Sequence, residues 1–402
     1  MSRLSGKRVT SKHCPFGFAE MPADFINAYL LGSLGQTGTS MGACASFLYN
    51  LRIGMHDIQH GNARVAIIGN AEAPILPEII EGYGAMGALA SDDELRILDG
   101  LTKNDIINYR RACRPFSSNC GFTIAESAQF IVLFDDALAV ELGANVYGSV
   151  ADVAVHADGY KKSISAPGMG NYITVAKAMA AARAITGDKP FAQGSFIQAH
   201  GTGTPQNRVT ESRIINEAAK AFGLSQWPVA AVKSYLGHSI GCAAGDQLMA
   251  TLGMWADGIF PGITTIDHLA DDVHHSHLHM PMKHETMDVN QQVAAIVNAK
   301  GFGGNNASAA LLSPMITERM LTKRHGQKAM ASCRNRRQLV DQSAKAYDAL
   351  ALQSKAETVY RFDYNVLNDD QVHVSKDQIS FDGIAAAIPL SQDCVYNDML
   401  DS

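Results

Sequence analysis

Gly42-Ala43-Cys44-Ala45-Ser46 leads into Phe47, Leu48, Leu51, Met55 and Ile58, and the rest of the chain is arranged around this stretch. Counted from Cys44, those apolar residues fall at i+3, i+4, i+7, i+11 and i+14, one face of an amphipathic helix, with Gly61 as its C-terminal stop. Thr39 and Ser40 lie just upstream, so the cysteine sits in or beside the first turn, where free N–H groups and the helix dipole favour an anion. A thiol so placed is expected to have its pKa drawn from ~8.5 toward ~7 or below, which would make it a nucleophile at neutral pH. A buried structural cysteine fits the same helix equally well. Residues far downstream decide between the two.

The 402 residues can bury one large core or two, and 47% hydrophobic residues with 35 glycines describe an α/β protein, not a fibrous or disordered one. A net charge of −6 gives no footprint for nucleic acid. No apolar run reaches the ~18 residues of a membrane span, and MSRLSGKRVTSKH has no apolar segment behind its charges, so it is not read as a secretory signal. Seven scattered cysteines without CxxC spacing suit reduced thiols in a cytoplasm better than a disulfide framework.

Short apolar runs at 65–69, 130–134, 145–153, 196–199, 229–232, 293–297 and 309–312 read as strands, and 25–34, 173–185, 209–222 and 238–256 as helices. Residues 74–128 read as mixed and loop-rich. Alternation of strand and helix predicts an α/β fold with substantial parallel pairing. Cys44, helix, strand 65–69, loop and strand 130–134 are echoed by His238, helix, strand 293–297, loop and strand 309–312, as two copies of one unit would be. The division expected is 1–140 with the nucleophile, 141–314 with two histidines, and an appended 315–402 carrying a basic run (Arg319 to Arg337) and a helix over 339–359.

Two further stretches complete the pattern. Ala199-His200-Gly201-Thr202-Gly203-Thr204-Pro205 and Lys233-Ser234-Tyr235-Leu236-Gly237-His238 each put a histidine on a turn after a strand, where open α/β sheets bind ligands. Gly301-Phe302-Gly303-Gly304-Asn305-Asn306 follows. With ACAS, HGTGTP, KSYLGH and GFGGNN in this order, the chain resembles the β-ketoacyl-acyl carrier protein synthases of the elongating, Cys-His-His type, over about residues 15–314. The segment Arg114 to Glu126 (RPF…GF…E) fits as well, and the C-x-G-x-G motif of a thiolase is replaced by GFGGNN.

The resemblance implies a thiolase-like fold of two pseudo-repeated halves plus a C-terminal extension. It also implies a cytoplasmic homodimer and acyltransferase chemistry without metal or redox cofactor. By resemblance Cys44 carries the acyl group, and His200 and His238 donate to the enolate formed when malonyl on acyl carrier protein loses CO2. Lys233 orders His200, while the backbone N–H groups of Cys44 and Phe302 form an oxyanion hole and Phe302 gates the acyl pocket. Thr202, Thr204, Gly303 and Asn306 are implied to bind substrate. An initiating synthase primed by acetyl-CoA, and an inactive truncated or partner subunit, are the alternatives.

Several positions depart from the family pattern. Lys300 stands where phenylalanine is frequent, Arg208 where an acid follows the first histidine motif, and Asp246-Gln247 where a glutamate follows a G-A-A-G that is one residue longer here. Family members carry a much longer segment ahead of the cysteine, so the N-terminal half is expected to be incomplete. His268, His274, His275, His277, His279 and His284 form a dense cluster read as a solvated loop in preference to a metal site, and the basic run as a solvated helical face.

Overall fold

Strands at 195–198 and 294–301 are buried on both faces, as their uninterrupted apolar runs predict, whereas the runs at 65–69 and 130–134, which also read as buried strands, lie in strands with one exposed face. The computed structural model describes residues 18–164, 166–357, 359–390 and 399. The basic stretch through His13, Cys14 and Cys394 lies outside the described residues. The chain runs α1 (Met21–Ile26), α2 (Ser46–Gln59), β1 (Val65–Glu72), α3 (Pro77–Ala85), α4 (Asp92–Asp99), β2 (Ser127–Phe134), α5 (Asp136–Leu142) and β3 (Ser149–Ala157). It continues through α6 (Gly170–Thr186), α7 (Asp188–Gly194), β4 (Ser195–Gln198), α8 (Pro205–Ala221), β5 (Trp227–Ala230), α9 (Lys233–Leu236) and α10 (Ala243–Asp257). After the short strands β6 (Ile259–Phe260), β7 (Leu278–His279) and β8 (Glu285–Thr286) come β9 (Ala294–Gly301), β10 (Asn305–Leu312) and α11 (Pro314–Leu352).

A six-stranded sheet has the order β3-β10-β9-β4-β5-β7, antiparallel among β3, β10 and β9 and parallel from β9 through β4 and β5 to β7. Its side chains alternate between two cores. Ile197 and Ile296 join Val175, Met179, Ile214 and Ile215 of α6 and α8. Phe196 and Val297 join Phe47, Leu48, Leu51, Leu248 and Trp255 of α2 and α10 on the other face. Beyond α2 and α10 lies a second sheet, β1 paired antiparallel with β2. Ile68 is buried toward the helices, whereas Val65, Ile67, Phe130 and Val132 are exposed on its outer face. The layers are therefore helix, sheet, helix, sheet, and the N-terminal half supplies two strands among the described residues.

The expected echo holds in three dimensions. Helix α2 packs on β1 and α10 on β9, each followed by an antiparallel partner, and the two helices meet. The region expected to be loop-rich contains α3 and α4, the latter opened by a reciprocal Ser91–Glu94 cap.

The basic run is in part a docking face, contrary to the solvated reading. Arg336 and Arg337 donate to the carbonyls of Val140 and Ala144 at the end of α5, and Arg324 and His325 reach Asp136. Val140 is in the last turn of α5, where cations are favoured, and its carbonyl also accepts from Gly143 N, while Ala144 lies just past the helix. The helix they sit on spans Pro314–Leu352 instead of 339–359 and is interrupted at Gly326 (φ 83°, ψ 161°).

The described chain forms two compact units, one from Gly35–Ala356 with the segment through Pro22, the other from Ala23–Leu34 and Glu357 onward. The smaller unit holds a three-stranded sheet of β11 (Val372–Val374), β12 (Gln378–Phe381) and β13 (Ile388–Pro389). Phe25, Tyr29, Tyr360 and Phe362 cluster in the same unit with ring centroids 4.8 to 5.2 Å apart along the chain of contacts.

Candidate functional site

Cys44 lies on a tight turn ahead of α2. Ala43 has a left-handed φ of 49°, and the amides of Ala45 and Ser46 close back on the carbonyls of Gly42 and Ala43. The Ser46 hydroxyl donates to Ala43 O at 2.7 Å and accepts from Gly42 N at 3.0 Å, which fixes the turn. The end of β9 passes directly against it: a Cβ on Gly301 would collide with the Gly42 carbonyl oxygen. Only glycine allows that approach. It brings the backbone N–H of Phe302, with that of Cys44 itself, to the thiol. Burial holds the thiol above its ordinary pKa, outweighing the lowering by Lys233 and by those two N–H groups. The expected depression is thus not found. The helix begins at Ser46, so Cys44 precedes the first turn, and desolvation of a fully enclosed sulfur wins.

His200 leaves the end of β4 and His238 the turn after α9; their rings are 5.4 Å apart and nearly perpendicular. Lys233 Nζ donates to His200 O at 2.6 Å and stands 3.5 Å from His200 Nδ1, the outer limit of a hydrogen bond. The backbone N–H of Ile240 donates to His238 Nδ1 at 3.2 Å. Ile240 achieves this with a φ of 51°, a costly conformation for a β-branched residue. Both imidazoles are held well below their ordinary pKa: His200 by burial, then by Lys233, His238 and Lys300, and His238 by burial, then by Lys233. With Nδ1 approached by a donor in each ring, the neutral imidazole carries its proton on Nε2.

The turn carrying His238 is threaded beside the segment 121–126. His238 N donates to Thr123 O at 2.7 Å, Ala125 N donates to His238 O at 3.0 Å, and the Phe122 ring meets the imidazole edge-on at 5.0 Å. The two residues standing in place of the family glutamate both have work. Asp246 accepts from Ser239 on the same turn and from Ser127 and Gln129 of β2. Gln247 donates to the carbonyls of Gln198, Ala199 and Asn298, tying the ends of β4 and β9 together.

Glu211 is the residue that sequence reasoning missed. Fully buried on α8, it accepts four hydrogen bonds: Oε1 from His200 N (2.6 Å) and Asn298 Nδ2 (2.8 Å), Oε2 from Gly201 N and Asn207 Nδ2 (both 2.8 Å). It therefore holds the first histidine's turn by its backbone. A signal was present, since Glu211 falls three and four residues before Ile214 and Ile215 on the apolar stripe of its helix, where a carboxylate needs a reason. Arg208, at the position of the expected acid, forms a two-pronged pair with Asp272 and reaches Asn119.

Cys44, His200, His238, Lys233 and Phe302 are thus brought together. Thr202 and Thr204 pair with each other at 3.1 Å, and Gly303 has a φ of 89°. The Asn306 amide is engaged by His156 O, Asp158 Oδ1 and Gly304 O, so it anchors the loop after Phe302. In the histidine-rich segment His268 bonds Asp267 and Ser118, His277 bonds Leu224 O, His279 bonds Glu285, and His284 stacks on Tyr235. Among the described residues no group of three or more His, Cys, Asp or Glu side chains is disposed to hold a metal ion.

Comparison with known proteins agrees with this geometry. The family model described as the N-terminal domain of β-ketoacyl synthase matches residues 18–138, and that of its C-terminal domain matches 147–267. The chain is 52% identical over 400 residues to the β-ketoacyl-acyl-carrier-protein synthase FabY of Pseudomonas aeruginosa, covering 100% of this chain and 62% of that protein. It spans about three fifths of that relative's length. A 3-oxoacyl-acyl-carrier-protein synthase 2 of Staphylococcus aureus is 30% identical over 308 residues, covering 75% of this chain and 69% of its own. The crystal structure of the P. aeruginosa ketosynthase FabY superposes with a TM-score of 0.94 at 52% identity, covering 100% of this chain and 62% of that one. A type II polyketide ketosynthase solved with its acyl carrier protein shares the fold at a TM-score of 0.60 and 22% identity, covering 78% of this chain and 72% of that one.

Proposed function

Because the chain belongs to the β-ketoacyl synthase family, we propose that it catalyses the decarboxylative Claisen condensation of an acyl thioester with malonyl on acyl carrier protein, in fatty acid biosynthesis. One observation carries the reading: two imidazoles set ring to ring, each with a donor behind Nδ1, share the neighbouring Lys233 with a buried thiol that has two backbone N–H groups on it. In the first half-reaction Cys44 Sγ attacks the acyl carbonyl, whose oxygen becomes an oxyanion facing the N–H groups of Cys44 and Phe302. The carrier thiol leaves with the cysteine's proton, and the acyl group stays on sulfur.

In the second half-reaction the bond from malonyl C2 to its carboxylate breaks and CO2 departs. The electron pair builds an enolate whose oxygen accepts from His200 and His238. Enolate C2 attacks the acyl-Cys44 carbonyl, the oxyanion re-forms in the same hole, and collapse expels the Cys44 thiolate, which takes a proton from solvent. A histidine kept neutral is a donor that does not give up its proton to the enolate. Lys233 holds His200 in that form and steadies charge on Cys44. We assign the half-exposed Phe302 as the gate of the acyl pocket.

Acyl carrier protein is the carrier we assign, in line with the names of its relatives and with the carrier complex of the polyketide ketosynthase. We further propose a cytoplasmic homodimer. Its five described cysteines are unpaired, and among the described residues no helix is long and apolar enough to cross a membrane. The division at 1–140, 141–314 and 315–402 is retained as part of this proposal. The test is intact-mass analysis after incubation with acetyl-CoA and, separately, with a medium-chain acyl carrier protein. An acyl adduct on the wild type that is absent from Cys44→Ala is expected, and a folded wild type that takes no adduct from either donor overturns the reading.

A further inference from the structure

Lys300 carries a partly buried ammonium for which the mechanism above has no use. It projects from β9 one residue before Gly301, on the strand that delivers the Phe302 N–H to Cys44. Among the described residues Lys300 has no carboxylate oxygen within ion-pair distance. Its Nζ instead donates to two neutral oxygens at the start of α8, Asn207 Oδ1 at 2.8 Å and Thr210 Oγ1 at 3.1 Å. Taking its Oδ1 fixes which way the Asn207 amide faces, and the other end of that amide, Nδ2, is the group that donates to Glu211. Glu211 in turn holds the backbone N–H groups of His200 and Gly201. Strands β4 and β9 are parallel neighbours, so the His200 turn and the Phe302 turn leave the sheet side by side, and this relay crosses between them.

We propose that Lys300 is a positioning residue that locks the Phe302 strand to the His200 turn through Asn207 and Glu211, setting the two oxyanion-binding groups of the reaction in register. A phenylalanine at this position would fill the space by packing and leave the Asn207 amide free to turn. The ammonium adds a second effect. The titratable and charged groups around His200 are Lys233 beside Nδ1, His238 ring to ring, Glu211 on its backbone, and Lys300, and the charge of Lys300 favours the neutral imidazole. Burial lowers the pKa of Lys300 itself, against the opposing charges of Glu211 and Asp158.

This inference rests on the synthase reading, and the test separates the two. Lys300→Met keeps the stem and removes the ammonium. Cys44 acylation by thioester, followed by intact mass, is expected to persist. Malonyl decarboxylation is expected to fall in kcat by about tenfold with KM little changed. The acid limb of its pH profile is expected to move upward by up to about one pH unit, because a cation that favoured neutral His200 is gone. Lys300→Arg, which keeps the charge, is expected to hold the acid limb in place while losing part of kcat. It also serves if the methionine variant does not fold.

Titration of the His200 imidazole by NMR in labelled protein gives a readout independent of turnover. An unchanged His200 titration together with an unchanged decarboxylation rate overturns the proposal, as does a loss of thermal stability with neither changed. If the wild type itself neither takes an acyl group nor decarboxylates malonyl, the synthase reading fails. The His200 titration then decides the role of Lys300 alone.

Discussion

Lys233 serves two neighbours with opposite needs. In the proposed reaction Cys44 needs a positive charge to make its thiolate attainable and His200 one to stay unprotonated, and the buried Lys233 lowers the pKa of both. Replacing Lys233 with methionine removes a cause that lowers the thiol pKa, which must therefore rise. The rate of Cys44 alkylation by iodoacetamide, followed by intact mass across pH 7 to 10, is expected to begin its rise at higher pH in Lys233→Met. At a fixed pH below that rise, alkylation slows about tenfold for every pH unit by which the profile moves. A profile that superposes on the wild type would mean that Lys233 does not govern the thiol. Burial has the larger influence on Cys44 in the free protein, so the N–H groups of Phe302 and Cys44 gain their full use once an acyl carbonyl replaces the proton.

At the scale of elements, the contact between β9 and the turn before α2 carries the site, and Gly301 is its hinge point. Gly301→Ala forces a methyl group against the Gly42 carbonyl, backbone against backbone with no flexible side chain to yield. We expect it to cost about 1–3 kcal/mol in urea unfolding and to slow acylation of Cys44 more than that loss of folded protein explains. A variant with native stability and native acylation would show that the approach is not tight.

These elements were legible to different degrees. The stripe Phe47, Leu48, Leu51 and Met55 announced α2, and the apolar runs announced β1, β2, β4, β9 and β10, because buried faces leave a period in the sequence. Helices α3, α4 and α7 span seven to nine residues and bury little of one face, so no period could accumulate. The proposed catalytic set rests on motifs, which sit at fixed places in the sequence. Asn207 and Asn298 could not be read in this way, since their importance lies in where their amides point, which no spacing encodes, and Glu211 left only its place on the apolar stripe of α8.

For the whole molecule, two buried neutral histidines make stability depend on pH in a defined window. Their folded pKa values are depressed below the ordinary ~6.5, so the unfolded chain binds protons first as pH falls. The stability they leave intact is fully present above about pH 6.5 and is lost below it, by about 1.4 kcal/mol per pH unit for each histidine. Urea midpoints at pH 7.5, 6.5 and 5.5 are expected to fall over the lower interval, and His200→Asn with His238→Asn to flatten that fall. An equal slope in the double variant would trace the acid sensitivity elsewhere. Carboxylates held low by guanidiniums, such as Asp99 beside Arg114, act at more acidic pH and do not confuse the window.

The middle layer formed by α2 and α10 has a consequence in time. Cys44 precedes one of these helices and His238 the other, and neither helix can bury its stripe until a sheet has formed on each side. The two meet only after a long stretch of chain has folded between them, and contacts so distant in sequence form slowly. The proposed site is therefore expected to assemble late in folding and to come apart when either sheet loosens. The sulfur is only 8% exposed in the folded chain, so a chain that has lost its fold offers it far more openly to solvent oxidants.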